Sequence, residues 1–257
     1  MPRVVSLSPS ITDTLVSLGA DDEVVGVSVY CRPYAPPHAE VVGDYVSVRL
    51  ERLRELSPDL VFTSGAAQAR LAERLRSLGY RVVHLEIPSS LYGVADMAWR
   101  VGVEVGRLIE AADLAARLAE SFNRLRGATP PTRILYVIDL GEPVSPGALS
   151  YAGHALLHLG LRNVYEAVKT AWVKPSTVDV KRYAPELVVY EARVEEPSLE
   201  QARRALSRWR LFDEKNLERV RIAAVPRDTL AHYGPRLAEN LQKLAEVLGA
   251  ARKRVKL

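Results

Sequence analysis

Tyr30, Tyr34, Tyr45, Tyr151 and Trp172 fall in stretches expected to be loops, or at the helix starts beside them. Rings held in loops present flat apolar faces, and a stacked ring contributes ~1 kcal/mol beyond the area it buries. With only 3 Trp and 11 Tyr in the chain, this gathering points to capture of a large planar or ring-rich ligand. For any single ring the competing reading is a seal that closes its loop onto the protein's own body. Short polar residues travel with the rings, in Ser8-Pro9-Ser10, Gly43-Asp44-Tyr45, Ser64-Gly65, Glu191-Ala192-Arg193 and Asp228-Thr229.

Other side chains carry weaker signals. His154 and His158 share one face of an expected helix at a spacing able to hold a metal, yet no third ligand in a fitting pattern accompanies them, and an exposed helix face is expected. His84 and Glu86 end an expected strand; with 5 His in the chain, a dedicated metal cage is not expected. Cys31 beside Arg32 has the surroundings of a thiol of lowered pKa, but a bystander thiol is the favoured reading. Arg32, Arg49 and Arg193 suit an anionic chelate, although in an arginine-rich chain a surface role is expected. The sequence contains no P-loop, no G-x-G-x-x-G after a strand, no G-x-S-x-G and no H-E-x-x-H. Enzymatic readings therefore have no residues to name, and the chain is expected not to be an enzyme.

At 257 residues and 48% hydrophobic content the chain can fill one large core or two modest ones. A mean hydropathy of −0.04 and the shortness of its apolar runs argue against a membrane span. Met1-Pro2-Arg3 leads straight into Val4-Val5, so no leader is visible; either export is not required or a leader has been removed. An extracytoplasmic location follows in the second case and a cytoplasmic one if Met1 is the native start. The net charge of +4 comes from arginine interleaved with Asp and Glu, a mixed solvated surface that does not suit nucleic acid. Only the final Ala-Arg-Lys-Arg-Val-Lys-Leu forms a basic run, expected to serve as a solubilising tail. A single cysteine excludes an intrachain disulfide, and the scarcity of Cys and Met amid abundant charge is what a hot habitat selects.

The elements that must position these residues alternate. Strands are expected at Val4–Leu7, Val24–Val27, Leu60–Thr63 and Arg81–Leu85, with helices at Ile11–Leu18, Arg49–Leu56 and Ala66–Leu78. After Gly127-Ala128-Thr129-Pro130-Pro131, which no helix crosses, the alternation restarts. Strands are expected at Arg133–Ile138, around Asn163–Glu166, at Leu187–Tyr190 and at Arg221–Val225. Helices are expected at Tyr151–Leu159, Val178–Tyr183, Leu199–Arg208 and Pro235–Leu248. Between the halves, Val94, Met97, Val101, Val105, Leu108, Ala112, Leu118 and Phe122 keep the helical period. That makes one long helix from about Tyr92 to Arg126, or two abutting ones. Roughly 35 residues would reach ~50 Å; Gly102 and Gly106 lower the helix propensity, and Glu110 and Asp113 could mark a kink.

The halves also match in residues. LERLRELSPDLVFTSG lines up with VDVKRYAPELVVYEA, and SITDTLVSLGADDEVVGV with SYAGHALLHLGLRNVYEA; two matches in one order argue for a pseudo-duplicated molecule. The expected fold is α/β, two lobes each with a parallel sheet flanked by helices, joined by a long backbone helix, with a ligand cleft between lobes. The expected divisions are 1–90, 91–127 for the helix, and 128–257.

Four blocks, RVVSLSPSITDTLVSLGADDEVVGVSVYCRPYAPP, VGDYVSVRLERLRELSPDLVFTSG, WVKPSTVDVKRYAPELVV and HYGPRLAENLQKLAEVLG, are similar to a known family. The chain resembles the periplasmic-type substrate-binding proteins of ABC importers for cobalamin, haem and ferric siderophores, the cobalamin-binding branch most of all. The resemblance implies a ligand-binding protein that delivers a corrinoid to a membrane permease, with a haem or ferric siderophore as the next readings. A cytoplasmic tetrapyrrole- or metal-handling enzyme or carrier on the same fold is the reading from a different class. Residue by residue it implies ring stacking by Tyr45 in VGDY and by Trp172, and a polar contact from Asp228. Tyr30, Pro9, Ser10 and Tyr151 would line the pocket. Glu51 would pair with permease arginines. Counted from Pro185 its lobe-two counterpart is Val178, a departure from the pattern for which the adjacent Asp179 could substitute. No cofactor, no protein metal site and a monomer are expected; cobalamin or an iron chelate would be cargo.

Overall fold

Consecutive apolar positions in Val4-Val5, Leu60-Val61-Phe62 and Leu187-Val188-Val189 suit strands covered on both faces, and the amphipathic stretches between them supply the covering helices. The computed structural model describes residues 1–253, without the side chains of residues 214, 215 and 250–253. The basic side chains expected to form a solubilising tail lie outside the described residues.

In the first half five strands form one sheet: β1 (Val4–Ser6), β2 (Val24–Ser28), β3 (Glu40–Gly43), β4 (Leu60–Ser64) and β5 (Val82–Leu85). Their order is β3-β2-β1-β4-β5 and every neighbouring pair is parallel. The crossovers carry α1 (Pro9–Ser17), α2 (Leu50–Leu56) and α3 (Gly65–Ser77). Val5, Leu7, Val42, Leu53 and Leu75 meet in the core of this sheet. The order reverses at β1, which puts the topological switch point at the carboxyl ends of β1 and β4, where open parallel sheets place ligands. The proline-rich stretch expected as a loop holds a 3-10 turn, Val29–Tyr34, and then β3.

Two helices follow, α4 (Leu91–Glu104) and α5 (Leu108–Arg124). The stretch expected as one rod, or as two abutting helices, folds back on itself. The break falls at Gly106, whose φ of 77° lies in the left-handed region, and not at Glu110 and Asp113. A Cβ added to Gly102 would stand 2.3 Å from the Ala111 Cβ. Further along, Tyr92 meets Phe122 edge-on at 6.3 Å and its hydroxyl donates to Asn123 Oδ1. Arg107, in the turn, donates to the buried Glu23 carboxylate at 3.2 and 2.7 Å.

The second half contains β6 (Thr132–Asp139), β7 (Pro143–Pro146), α6 (Tyr151–Leu159), β8 (Leu161–Asn163), β9 (Trp172–Val173), α7 (Thr177–Tyr183), β10 (Leu187–Glu191), α8 (Leu199–Arg208), α9 (Glu214–Arg219), β11 (Arg221–Val225) and α10 (Leu237–Lys253). β6, β8, β10 and β11 are parallel, and the sheet is extended by β7 and β9, each antiparallel to its neighbour. These two strands were not expected from the sequence. Pro143-Val144-Ser145-Pro146 is bounded by prolines, which do not advertise a strand.

The duplication holds in detail. α2 and α7 each span 7 residues and end on a left-handed residue, Ser57 and Ala184, both at φ 42°. A proline follows each. Asp59 then accepts the Arg3 backbone N–H at 2.7 Å, and Glu186 the Arg133 N–H at 3.4 Å. The chain divides into two compact units. One comprises Met1–Pro88, Gly93–Ala119 and Tyr233–Arg236; the other comprises Ser89–Tyr92, Glu120–His232 and the chain from Leu237 onward. The first unit holds Gly93–Ala119 of the helical stretch and the second holds its two ends, so α5 has residues in both.

Candidate functional site

In the first unit the loops after β1, β3 and β4 converge on one side chain. Gln68, fully buried near the start of α3, accepts the Ser64 N–H at 2.6 Å and donates to the carbonyls of Leu7 at 2.9 Å and Tyr45 at 2.6 Å. Tyr45 is restrained from the other side as well. A Cβ on Gly43 would lie 2.1 Å from the Ser47 carbonyl oxygen, so only glycine fits. Asp44 Oδ1 accepts the N–H groups of Val46 and Ser47 at 2.8 and 2.7 Å, and its Oδ2 accepts Ser47 Oγ at 2.9 Å. Those bonds, the Val46 N–H first, hold its carboxyl below the usual range. The result is a half-buried Tyr45 ring, edge-on to the 59%-exposed Tyr30 at 6.2 Å. Burial, and next the nearby Tyr233, push the Tyr45 phenol up, so it stays neutral.

Beneath it lies a layer of hydroxyls. Ser64 Oγ is 2.8 Å from Ser8 Oγ and 2.7 Å from the Tyr233 hydroxyl. Ser10, expected to line the pocket, is buried and accepts the Tyr233 N–H at 3.1 Å. Asp13 accepts the backbone N–H and Nε of Arg236 at 3.2 and 3.0 Å, and the same guanidinium covers the Tyr34 ring at 5.1 Å. These bonds fix Tyr233–Arg236 in this unit. Pro9 opens α1 and is half-buried. Cys31 is fully buried, 3.1 Å from Ser28 Oγ, and burial pushes its thiol up; it is no thiolate.

In the second unit Trp172 opens β9, paired with Pro146, and does not lie in a loop after a strand. Its half-buried ring meets Tyr151 edge-on at 6.1 Å. Tyr151 is 1% exposed and its hydroxyl donates to the Leu230 carbonyl. Asp228, half-buried, adopts the left-handed backbone at φ 62°, which Asp tolerates better than most residues. Asn240 Nδ2 donates to its carbonyl at 2.8 Å, and Thr229 Oγ1 closes the turn onto Pro226 at 2.7 Å.

The histidine pair is not the exposed face expected of it. His158 is buried with Nε2 at 2.7 Å from the Phe122 carbonyl, and His154 Nδ1 accepts the Leu91 N–H at 3.0 Å. Burial first, then His158, pushes His154 down and favours the neutral ring that this bond needs. His84 Nδ1 is 2.9 Å from Thr63 Oγ1. Of the expected docking residues, Glu51 is exposed in the first turn of α2. Val178, at the related place in α7, is 73% exposed, whereas Asp179 accepts Ser176 Oγ at 2.7 Å and the Tyr165 hydroxyl at 3.1 Å. Among the described residues, no helix is long and apolar enough to cross a membrane.

Residues 4–208 match the periplasmic binding protein family. The chain belongs to that family. This periplasmic binding protein is 31% identical over 176 residues, 65% of the chain, to the Cobalamin-binding protein of Halobacterium salinarum. It spans about half of that relative's length, 47%. It is 24% identical over 204 residues, 77% of the chain and 73% of the relative, to the Vitamin B12-binding protein of Photorhabdus laumondii. In fold it is similar to the periplasmic heme-binding protein of Roseiflexus sp. RS-1, with a TM-score of 0.80 at 21% identity, covering 97% of this chain and 98% of that one. The periplasmic vitamin B12-binding protein of Vibrio cholerae gives 0.76 at 18% identity, covering 98% of both.

Sequence reasoning about this periplasmic binding protein missed Gln68, and it named Glu191 only as a loop residue, without the bonds by which its carboxylate holds the Leu230 and Ala231 N–H groups. Neither lies in a motif whose chemistry is local. The one available signal was a polar residue at a core-facing position, Gln68 before Leu71 and Ala72 in α3, and Glu191 closing an apolar strand.

Proposed function

We propose that this chain is the substrate-binding component of an ABC importer and that its ligand is a corrinoid of the cobalamin class. In this reading the rings of Tyr45 and Trp172 bear on the flat macrocycle and Asp228 takes a polar group at its rim. Tyr30 and Pro9 flank the ligand, while Ser10 and Tyr151 act one layer below it, through Tyr233 and Leu230. The observation that carries the reading is the pair of half-buried rings, Tyr45 and Trp172, each backed edge-on by a second ring, at 6.2 and 6.1 Å. Such rings are fixed in advance, so stacking costs little side-chain freedom. The similarity to proteins named for cobalamin and vitamin B12 supports the corrinoid among flat ligands. Delivery to a permease in the membrane, and a place outside the cytoplasm, go with this role. Glu51 is the proposed carboxylate for permease arginines, an interaction that sets orientation and on-rate; Asp179 is its proposed counterpart.

Titration with cyanocobalamin, followed by tryptophan fluorescence, tests the ligand. Saturable quenching is expected, and Trp172→Ala should both remove most of the signal and weaken binding about tenfold, the scale of one stacked ring. Flat rings take a porphyrin or an iron catecholate by the same contact, so hemin and a ferric catecholate are the competitors to run. Saturation by hemin and none by cyanocobalamin would replace the corrinoid with haem.

A further inference from the structure

Glu191 is the last residue of β10 and is fully buried. Its Oε2 accepts the Tyr136 hydroxyl at 2.7 Å and the Leu230 N–H at 2.8 Å, and its Oε1 accepts the Ala231 N–H at 3.0 Å. Three donors aimed at both oxygens suit an ionised carboxylate, which accepts at each and offers no proton of its own. Bonds of this kind are roughly twice as strong as their neutral counterparts. The two backbone donors belong to the bend that follows the Arg227–Asp228 turn, and the Leu230 carbonyl is also held, by Tyr151. One buried carboxylate thus supports the main chain beside the residue assigned to the ligand's polar contact.

The groups that face Glu191 are Tyr136 from β6, the Leu230 and Ala231 amides, and the Asp228 carboxylate. Burial, and to a smaller degree the like charge of Asp228, favour the protonated form, while the three donors oppose it. The balance leaves the group pushed up to about 7.

We propose that Glu191 is the positioning residue of the ligand turn: as a carboxylate it holds Leu230 and Ala231 and through them Asp228, and on protonation it releases the turn and weakens ligand capture. The affinity part of this proposal rests on Asp228 touching the ligand, as proposed above. Ligand affinity then falls as the medium turns from alkaline to mildly acidic, although neither Glu191 nor its donors touch the ligand.

Two readouts separate this inference from the ligand assignment. Amide hydrogen exchange at Leu230 and Ala231, on the ligand-free protein and corrected for the intrinsic pH dependence, reports the turn alone. Protection should drop roughly tenfold as the pH falls through neutrality, within the usual range of coupling between two sites. Cyanocobalamin affinity should fall in parallel. Glu191→Gln should show the weak protection and weak affinity at every pH, with neither varying. Tyr136→Phe keeps both backbone donors but removes one bond to the carboxylate, so its midpoint should move to higher pH; it also serves should Glu191→Gln fail to fold. Protection that does not change with pH in the wild-type protein overturns the proposal, as does Glu191→Gln with wild-type protection and affinity in alkali. pH-dependent protection with no cobalamin binding at any pH overturns the ligand reading and upholds the anchoring of the turn.

Discussion

Gln68 donates to the Tyr45 carbonyl at 2.6 Å, across 23 residues of sequence, and so couples the first turn of α3 to the loop that carries the candidate stacking ring. The same amide serves Leu7 and Ser64, so one buried side chain satisfies backbone groups from three strand ends. Gln68→Ala leaves those groups without their partner, at a cost of about 2–4 kcal/mol. Urea unfolding measures it as a lowered midpoint with an unchanged slope. Gln68→Glu should be worse at neutral pH, because it turns a carboxylate oxygen toward two carbonyls. A midpoint within error of the wild type for both variants would show that the hub carries no weight.

Glu191 makes global stability respond to pH in the direction opposite to ordinary acid denaturation. Complete unfolding hydrates the carboxylate, whereas release of the turn alone leaves it buried and takes away its donors. Its reference value is 4.5, and in the folded protein it is pushed up to about 7. Between those values the native state holds a proton that the unfolded chain has released, so stability falls as pH rises across the window, by about 1.4 kcal/mol per unit from this group. Glu191→Gln removes that slope. Denaturant midpoints at several pH values check it, and an unchanged slope in Glu191→Gln would assign the pH dependence elsewhere.

Cys31 is enclosed by Ser28, the Ser6 carbonyl and the β2 end, with burial pushing the thiol up. Reaction with a thiol reagent should be slow in the native protein and complete once denaturant is added. Fast native reaction would contradict the burial.

Gly102 in α4 packs against Ala111 in α5, and a methyl added there would stand 2.3 Å from the Ala111 Cβ. Gly102→Ala should therefore destabilise by about 1–3 kcal/mol, despite alanine's better helix propensity. The variant Gly102→Ala with Ala111→Gly should recover most of the loss, and thermal unfolding of the three proteins decides it. Equal midpoints would mean that the helices part at no cost.

Much of the architecture was legible in the sequence because local pattern and tertiary role agree there. β4 and β10 are uninterrupted apolar runs after a proline and an acid, and α6 and α8 fall where the period placed them. Elements without such agreement were missed. Residues 29–34 read as loop because Pro33 sits among them, yet a 3-10 turn accommodates it. β9 spans Trp172 and Val173 alone, and a two-residue strand has no period. Gly106 was legible as a weak point of the helix, but the reversal there was not, because the apolar spacing continues unbroken from α4 into α5. Of the candidate residues, ring type gathered five aromatics, and only the family resemblance singled out Tyr45 and Trp172 among them. The sequence could not show that Ser10 and Tyr151 spend their polar atoms on Tyr233 and Leu230, since those partners lie more than seventy residues away.

The interrupted course of the chain has a practical outcome. Tyr233–Arg236 returns to the body built by the first eighty-eight residues, and Ser89–Tyr92 leaves it early. No single cleavage can release either half with its full complement of residues. A fragment ending near Arg126 lacks the phenol that fills the Ser8 and Ser64 hydroxyl layer and the guanidinium that neutralises Asp13. Expressing the halves separately should yield aggregating pieces, whereas co-expressing complementary fragments, or permuting the termini, should respect the way the protein is assembled.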